Sequence, residues 1–234
     1  MENIRIVSIE GNIGSGKSTI LKHLIAKMST LKNDEYEIVF VDEPVSSWEN
    51  IKDSEGKNMI EKFYDNPQKY AFAFQIMAFT TRLIYLKNAI DSSLNSFPDK
   101  TIVIITERSL HTDCFVFAEL LKKQNNIEDV CFQIYKQMFE EFSSNYKVDT
   151  LVYLKTTPEI CNDRIKMRLR PGEEGISLNY LIQCNEEHER YIYEKMPNSH
   201  KLIIDGKLDI RENPYLLDER LELIKCYILQ MQRN

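Results

Sequence analysis

The stretch IRIVSIEGNIGSGKST, residues 4–19, constrains this chain more than any other. A β-branched apolar run reads as a strand, and Gly11, Gly14 and Gly16 follow it at once in a chain that has only seven glycines. Glycine weakens helix and strand interiors, so such a cluster marks a backbone that bends tightly or lets a ligand come close. Gly11, Gly16, Lys17 and Ser18 satisfy G-x-x-x-x-G-K-[ST] between a strand and a helix, the setting this pattern requires. The amides of Gly11, Asn12, Ile13, Gly14, Ser15 and Gly16 would then cradle phosphate oxygens at a helix N-terminus. Lys17 would reach the β and γ phosphates, Ser18 would hold Mg²⁺ and Thr19 would assist. A ligand-free glycine turn is the plainer alternative, but with background glycine near 7% in proteins generally a chance match is roughly a one-in-a-hundred event.

The rest of the chain continues the alternation. Apolar runs recur at 4–10, 36–43, 101–107, 150–156 and 200–206. Between them lie helix-period segments at Lys17–Leu31, Pro67–Leu94, Thr112–Lys123, Val130–Phe142, Pro158–Leu169 and Ser177–Met196, and Asn213-Pro214 opens a last helix. Such runs suit strands covered on both faces. The expected fold is therefore α/β and three-layered, a five-stranded parallel sheet flanked by helices, in one domain over residues 1–234. Ser46–Asn58 and Arg170–Gly175 read as irregular loops.

Composition removes several classes of function. A formal charge of −6 provides no cationic field for nucleic acid or an anionic membrane, so phosphate recognition must be local. The five cysteines are odd in number, scattered and without a C-x-x-C pair, which argues against a disulfide framework or a zinc site and for buried reduced thiols. With no apolar signal region and no apolar run of about 18 residues, a cytoplasmic protein is expected.

A phosphate loop serves switches, motors and kinases alike, so the other strand ends must decide. They carry Asp42-Glu43-Pro44, Glu107-Arg108-Ser109, Lys155-Thr156-Thr157 and Asp205, at the sheet edge where α/β proteins bind ligands. No N-K-x-D run is present, which disfavours a GTPase. Through GNIGSGKST, DEPVSSW, FYDNPQKYAFAFQ, ERSLHTD, RIKMRLRPGEEG and IIDGKLD, in that order over almost the whole chain, the sequence resembles the deoxynucleoside kinase family, the group with deoxycytidine, deoxyguanosine and deoxyadenosine kinases. The resemblance implies a P-loop kinase fold with an arginine-rich lid at about 164–176. It also implies ATP- and Mg²⁺-dependent phosphorylation of a deoxyribonucleoside 5′-hydroxyl in nucleotide salvage, and a homodimer formed through helices.

Transfer to an alcohol needs a base, and Glu43 at a strand end beside the loop is the candidate, as the resemblance also implies; a capping or salt-bridged carboxylate is the alternative. At the end of the third strand, Glu107 can meet magnesium and Arg108 can neutralise phosphate charge, and the resemblance assigns them the metal site and the reacting 5′ end. A structural ion pair is the competing reading. Arg164 and Arg168 share a helix face and Arg170 follows. A solvated basic face is the usual meaning, whereas the resemblance makes all three lid arginines that fold over ATP phosphates. It puts Asp209 and Ile210 in the adenine-contacting loop.

Gln75 can read a base edge with its amide, and Trp48, Phe74, Phe79 and Phe117 can sandwich a ring, although aromatics at helical spacing more often build core. The resemblance matches Trp48, Gln75 and Phe117 to pocket positions, and Tyr64 with Glu173 to the pair that grips the 3′-hydroxyl. Arg82 and Asp113 stand where family members that take cytosine or purine nucleosides carry this pair. A carboxylate accepts from an exocyclic amine, while thymine offers a carbonyl and a methyl group, so thymidine should rank last. A buried ion pair that props two helices is the alternative. Met77 occupies a position where deoxycytidine kinases carry tyrosine, and its adaptable thioether favours purines.

Two rival functions remain. A nucleoside monophosphate kinase, thymidylate kinase being nearest, would need extra basic residues in the acceptor region, and none is found. A nucleotide-binding protein without transfer activity would not need Lys17, Glu43 and Arg108 together.

Overall fold

The computed structural model describes residues 3–28, 33–170, 172–207 and 214–230. Five strands, β1 (Ile4–Glu10), β2 (Tyr36–Val41), β3 (Thr101–Glu107), β4 (Thr150–Lys155) and β5 (Lys201–Asp205), form one all-parallel sheet in the order β2-β3-β1-β4-β5. β1 is central, with Val7 opposite Ile105 on one side and Thr150 on the other. The strand followed by the glycine loop thus lies between β3 and β4, where successive crossovers leave in opposite directions. This is where a doubly wound sheet opens its ligand crevice.

The helices are α1 (Lys17–Met28), α2 (Val45–Asn50), α3 (Met59–Asp65), α4 (Pro67–Ser96), α5 (Leu110–Thr112), α6 (Glu119–Lys123), α7 (Asp129–Ser143), α8 (Pro158–Arg168), α9 (Leu178–Arg190) and α10 (Pro214–Gln230). The two-residue strand period sorts the core. Val7, Ile9, Val103, Ile105, Val152 and Leu154 face Leu21, Leu24, Leu221 and Ile224 of α1 and α10. Ile4, Ile6, Ile102 and Ile104 face Phe79, Leu86, Tyr135 and Phe139 of α4 and α7. The sheet is therefore covered on both faces, as the unbroken apolar runs predict. The edge strand β2 is largely half-buried and the edge strand β5 mixes half-buried and exposed positions, because each has a single neighbour.

Several boundaries differ from the sequence expectation. Ser46–Asn58 is not wholly irregular: α2 occupies its start, Lys52 and Asn58 form a bridge, and Asn58 opens α3 through a capping box with Glu61. Helices of six and seven residues are too short for the 3.6-residue period to declare itself. The expected helix at Thr112–Lys123 begins at Leu110 and is π-helical over Asp113–Ala118, and the one expected to reach Met196 becomes π-helical at Tyr191–Lys195. The first helix ends at Met28, and residues 29–32 lie outside the described residues. Cys114, Cys161 and Cys184 are buried free thiols as expected, but Cys131 is half-buried and Cys226 exposed. Among the described residues no helix is long and apolar enough to cross a membrane.

Candidate active site

The carboxyl ends of the strands open into a cavity of about 420 Å³. The glycine loop forms one part of its wall. Gly11 has φ +149°, and a Cβ there would meet Ser15 Oγ at 2.7 Å and the Leu154 carbonyl at 2.8 Å. Gly14 has φ +78°, and its Cβ would lie 2.5 Å from the Cys161 carbonyl. Both positions therefore exclude a side chain, for reasons of conformation and of space. Ile13, Gly14, Ser15, Gly16, Lys17, Ser18 and Thr19 line the cavity. Gly11 and Asn12 are not part of that lining. Asn12 instead ties the loop down: Nδ2 donates to the Leu181 carbonyl at 2.8 Å, Oδ1 accepts from Ile13 N at 2.8 Å, and its carbonyl accepts from Lys17 Nζ at 2.8 Å. Ser15 Oγ is buried and has no partner among the described residues.

Four charged residues converge beside the loop. Arg82, one-thirtieth exposed at 3%, donates from Nε to Asp113 Oδ2 at 2.8 Å, from Nη1 to the Glu107 carbonyl at 2.7 Å, and from Nη2 to Glu43 Oε1 at 3.1 Å. Arg108 Nε lies 3.4 Å from the same Glu43 oxygen. Burial alone would raise the Glu43 pKa, but Arg108, Arg82 and Lys17 outweigh it and hold the carboxyl below its ordinary range. Glu43 is thus an ionised carboxylate in the cavity wall, the state a proton acceptor needs. Burial moves Lys17 the other way, to about 8, assisted by Arg108 and opposed by Glu107 and Glu43. Glu107 is raised by burial and by Glu43.

Arg108 itself is held in a conformation that side chains avoid, with φ +63°. Such a residue costs on the order of 1 kcal/mol or more and persists only where its surroundings over-determine it. Here its N–H donates to the Ile9 carbonyl at 3.0 Å, its carbonyl accepts from Thr106 Oγ1 at 2.7 Å, and its guanidinium sits 4.8 Å from the Phe117 ring centroid. The bend turns the side chain at the end of β3 back over the loop, where Nη1 donates to the Gly11 carbonyl at 2.9 Å.

Ser18 Oγ donates to Glu107 Oε1 at 2.9 Å, so the hydroxyl and carboxylate expected to share Mg²⁺ are already adjacent. Among the described residues no group of three or more His, Cys, Asp or Glu stands ready to hold a metal alone. One hydroxyl and one carboxylate are hard oxygen donors that suit Mg²⁺ brought in by nucleotide phosphates with its own waters.

The remaining wall is apolar and aromatic. Trp48 Nε1 donates to Thr81 Oγ1 at 2.8 Å, Trp48 meets Phe74 edge-on at 5.8 Å, and Phe74 stacks on Phe63 at 4.6 Å. Gln75 is 2% exposed and its Oε1 has no partner among the described residues. A buried carbonyl oxygen left so is costly unless a ligand satisfies it. Tyr64, Gln75, Asp113, Phe117 and Glu173 all line the cavity.

Two other expected pocket residues do not. Phe79, 1% exposed, packs edge-on against Tyr135 and Phe139 in the core beneath the sheet, so it is a core residue. Met77 is off the cavity wall too, packed with Trp48, Ile60 and Ala78. On α4 the cavity-facing positions are Phe74, Gln75, Ala78 and Arg82, and helical geometry turns 77 and 79 away from that stripe.

Arg164 donates to the Ser15 carbonyl at 3.0 Å and to the Gly206 carbonyl at 3.0 Å, joining the loop to the end of β5. Arg168 Nε donates to Glu173 Oε2 at 2.6 Å and Arg170 Nη1 to Glu173 Oε1 at 3.4 Å, so the lid carboxylate is paired with the lid arginines. Asp209 and Ile210 lie outside the described residues. Ile60, Phe63, Tyr180 and Arg220 also line the cavity and were missed. Ile60 and Phe63 belong to the helix that periodicity could not find, while Arg220 carries no local signal at all.

Known proteins resemble this chain over most of its length. The deoxynucleoside kinase family model matches residues 7–223. Deoxycytidine kinase 2 of Gallus gallus is 32% identical, over 93% of this chain and 89% of its own. The mitochondrial deoxyguanosine kinase of Xenopus laevis is 27% identical, over 96% and 90%. Human deoxycytidine kinase is 30% identical, over 82% and 76%.

Proposed function

The chain belongs to the deoxynucleoside kinase family, and from that premise we propose how its residues divide the work of phosphorylating a deoxynucleoside. The enzyme is a phosphotransferase that uses ATP to phosphorylate a deoxynucleoside in nucleotide salvage. One observation carries the residue assignment: a single cavity is lined at once by Lys17 and Ser18, by the ionised Glu43, and by Gln75 with its unpartnered Oε1. Glu43 takes the proton of the 5′-hydroxyl as the oxygen attacks the terminal phosphorus, the bond from that phosphorus to its bridging oxygen breaks, and ADP leaves. Lys17 and Arg108 hold the charge that spreads over the transferred group, and Arg164, Arg168 and Arg170 add theirs from the lid side. Ser18 and Glu107 would hold Mg²⁺, which would neutralise charge on the phosphates.

The base edge is read by Gln75 between Trp48, Phe74 and Phe117, and the sugar by Tyr64 and Glu173. Asp113, pinned by Arg82, accepts from an exocyclic amine, so deoxyadenosine or another purine ranks first, deoxycytidine close behind and thymidine last. The relatives named for deoxycytidine and deoxyguanosine fit that order's two leading classes.

We also take the protein to be a cytoplasmic homodimer of one kinase domain. Free thiols suit a reducing compartment. Exposed Ile84, Val130, Ile134 and Phe142 lie on α4 and α7, which pack on each other, and a second copy would cover them. The test is ADP release with the four deoxynucleosides and with thymidine monophosphate as acceptors, beside sedimentation of the pure protein. Turnover on the monophosphate and none on nucleosides would overturn the reading.

A further inference from the structure

His188 has no place in the chemistry described so far, yet it touches the residue at its centre. It lies on α9, is fully buried, and is enclosed by rings: Tyr153 stacks on it at 6.5 Å and Phe117 meets it edge-on at 5.8 Å. Its Nδ1 lies 2.7 Å from the Cys184 carbonyl, one turn earlier on the same helix. A carbonyl can only accept, so Nδ1 carries the proton. Its Nε2 lies 3.2 Å from Arg108 Nη1. A guanidinium can only donate, so Nε2 must present its lone pair, and the ring is neutral in one defined tautomer. Burial and the Arg108 charge both push its pKa well down, in agreement with that geometry.

The two Nη1 protons of Arg108 then have two fixed acceptors, the Gly11 carbonyl in the phosphate loop and His188 on α9. Nε faces Glu43, and Nη2 has no hydrogen-bond partner among the described residues. Three contacts from three parts of the chain therefore fix the guanidinium plane and leave one nitrogen for a ligand. We infer that His188 is a positioning residue for phosphoryl transfer: its unprotonated Nε2 locks Arg108 so that Nη2 is held ready for the transferring group. The inference rests on the kinase reading for its consequence, though not for its geometry.

A positioning role differs from mere packing in what it predicts. Removing the acceptor while keeping bulk should lower kcat more than it raises KM, because a mis-set guanidinium fails at the charge that develops during transfer. In His188→Leu, kcat should fall by roughly tenfold to a hundredfold while nucleoside and ATP KM stay within about threefold. In His188→Gln, whose amide oxygen can reach the Nε2 position, most of the loss should be recovered. In an Arg108→Lys background, His188→Leu should add little further loss.

The geometry is tested without activity by ¹⁵N NMR of wild-type His188 near pH 7. A protonated Nδ1 and a bare Nε2 are expected. An Nε2–H tautomer or an imidazolium would overturn the inference even if the protein were an excellent kinase. Equal losses in the Leu and Gln variants, or full additivity with Arg108→Lys, would overturn it through kinetics. If the wild type transfers no phosphate to nucleosides, the kinase reading fails instead, and the NMR result still stands on its own.

Discussion

Arg82 Nη2 donates to Glu43 Oε1 at 3.1 Å, so the arginine proposed to screen the base and the carboxylate proposed to take the proton belong to one ion-pair network. Base choice and chemistry are therefore coupled through Glu43, and a specificity mutation cannot leave the rate alone. Arg82→Met with Asp113→Ala should raise thymidine kcat/KM relative to deoxyadenosine and deoxycytidine, because it removes the charged pair and makes room for a methyl group. It should also lower kcat for every nucleoside. The single Arg82→Met leaves Asp113 buried without its partner and should cost about 3 to 5 kcal/mol of stability. Relative kcat/KM on four nucleosides, with melting curves, checks both parts; an unchanged thymidine ratio in the double variant would refute this account of the pocket.

Replacing Glu43 by Gln keeps the shape and the bond to Arg82 but removes the proton acceptor. We expect kcat to fall by roughly 10² or more, with nucleoside binding measured by calorimetry largely kept. Near-normal turnover under conditions where chemistry limits the rate would take Glu43 out of the mechanism.

Lys17 supplies a pH signature. With its pKa pulled down to about 8 by burial, the free enzyme loses this ammonium as pH rises through that value. The kcat/KM profile for ATP should bend downward near pH 8, and kcat should bend later, since bound phosphates favour the charged form. Lys17→Ala should abolish transfer and keep the fold. Linkage gives the sign for stability: between about 8 and the ordinary 10.5 the unfolded chain binds more protons than the folded one. Ligand-free wild type should therefore gain stability over Lys17→Met as pH rises through that window. A kcat/KM profile that stays flat to pH 10 contradicts the assignment.

Gln75 and Phe79 separate pocket from core on the same helix. Gln75→Leu should raise nucleoside KM by roughly tenfold to a hundredfold with little change in melting, because the lost oxygen has only a ligand to satisfy it. Phe79→Ala should cost about 3 to 5 kcal/mol of stability and leave KM almost unmoved in the folded fraction. The reverse pattern would mean that the two faces of α4 have been exchanged.

Much of this was legible in the chain. Three glycines, a lysine and a serine behind a β-branched run announce a phosphate loop because only that local backbone needs them. Strand runs and long helices declare themselves by period, and a polar residue closing an apolar strand must emerge at the sheet edge. Glu43, Glu107 and Arg108 were singled out in that way, and all three line the cavity. What was lost lies where the local signal is short or degenerate. Helix α3 is one capping box and seven residues, and with it went Ile60 and Phe63. Met77 and Phe79 look as suitable as Gln75 in a string of letters, and only the rotation of α4 against the sheet turns them away.

The sequence alone determined the parallel sheet, the phosphate loop and the chemical types at the strand ends, because these follow from backbone conformation and from interactions within a few residues. Tertiary structure alone decided which of those groups meet. Arg82 is 39 residues from Glu43, and His188 is 80 from Arg108. Their contacts exist because strand order and helix packing bring distant segments within hydrogen-bond reach. No local pattern encodes that approach, and on it depend the charge of Glu43, the single tautomer of His188 and the one guanidinium nitrogen of Arg108 left for a ligand.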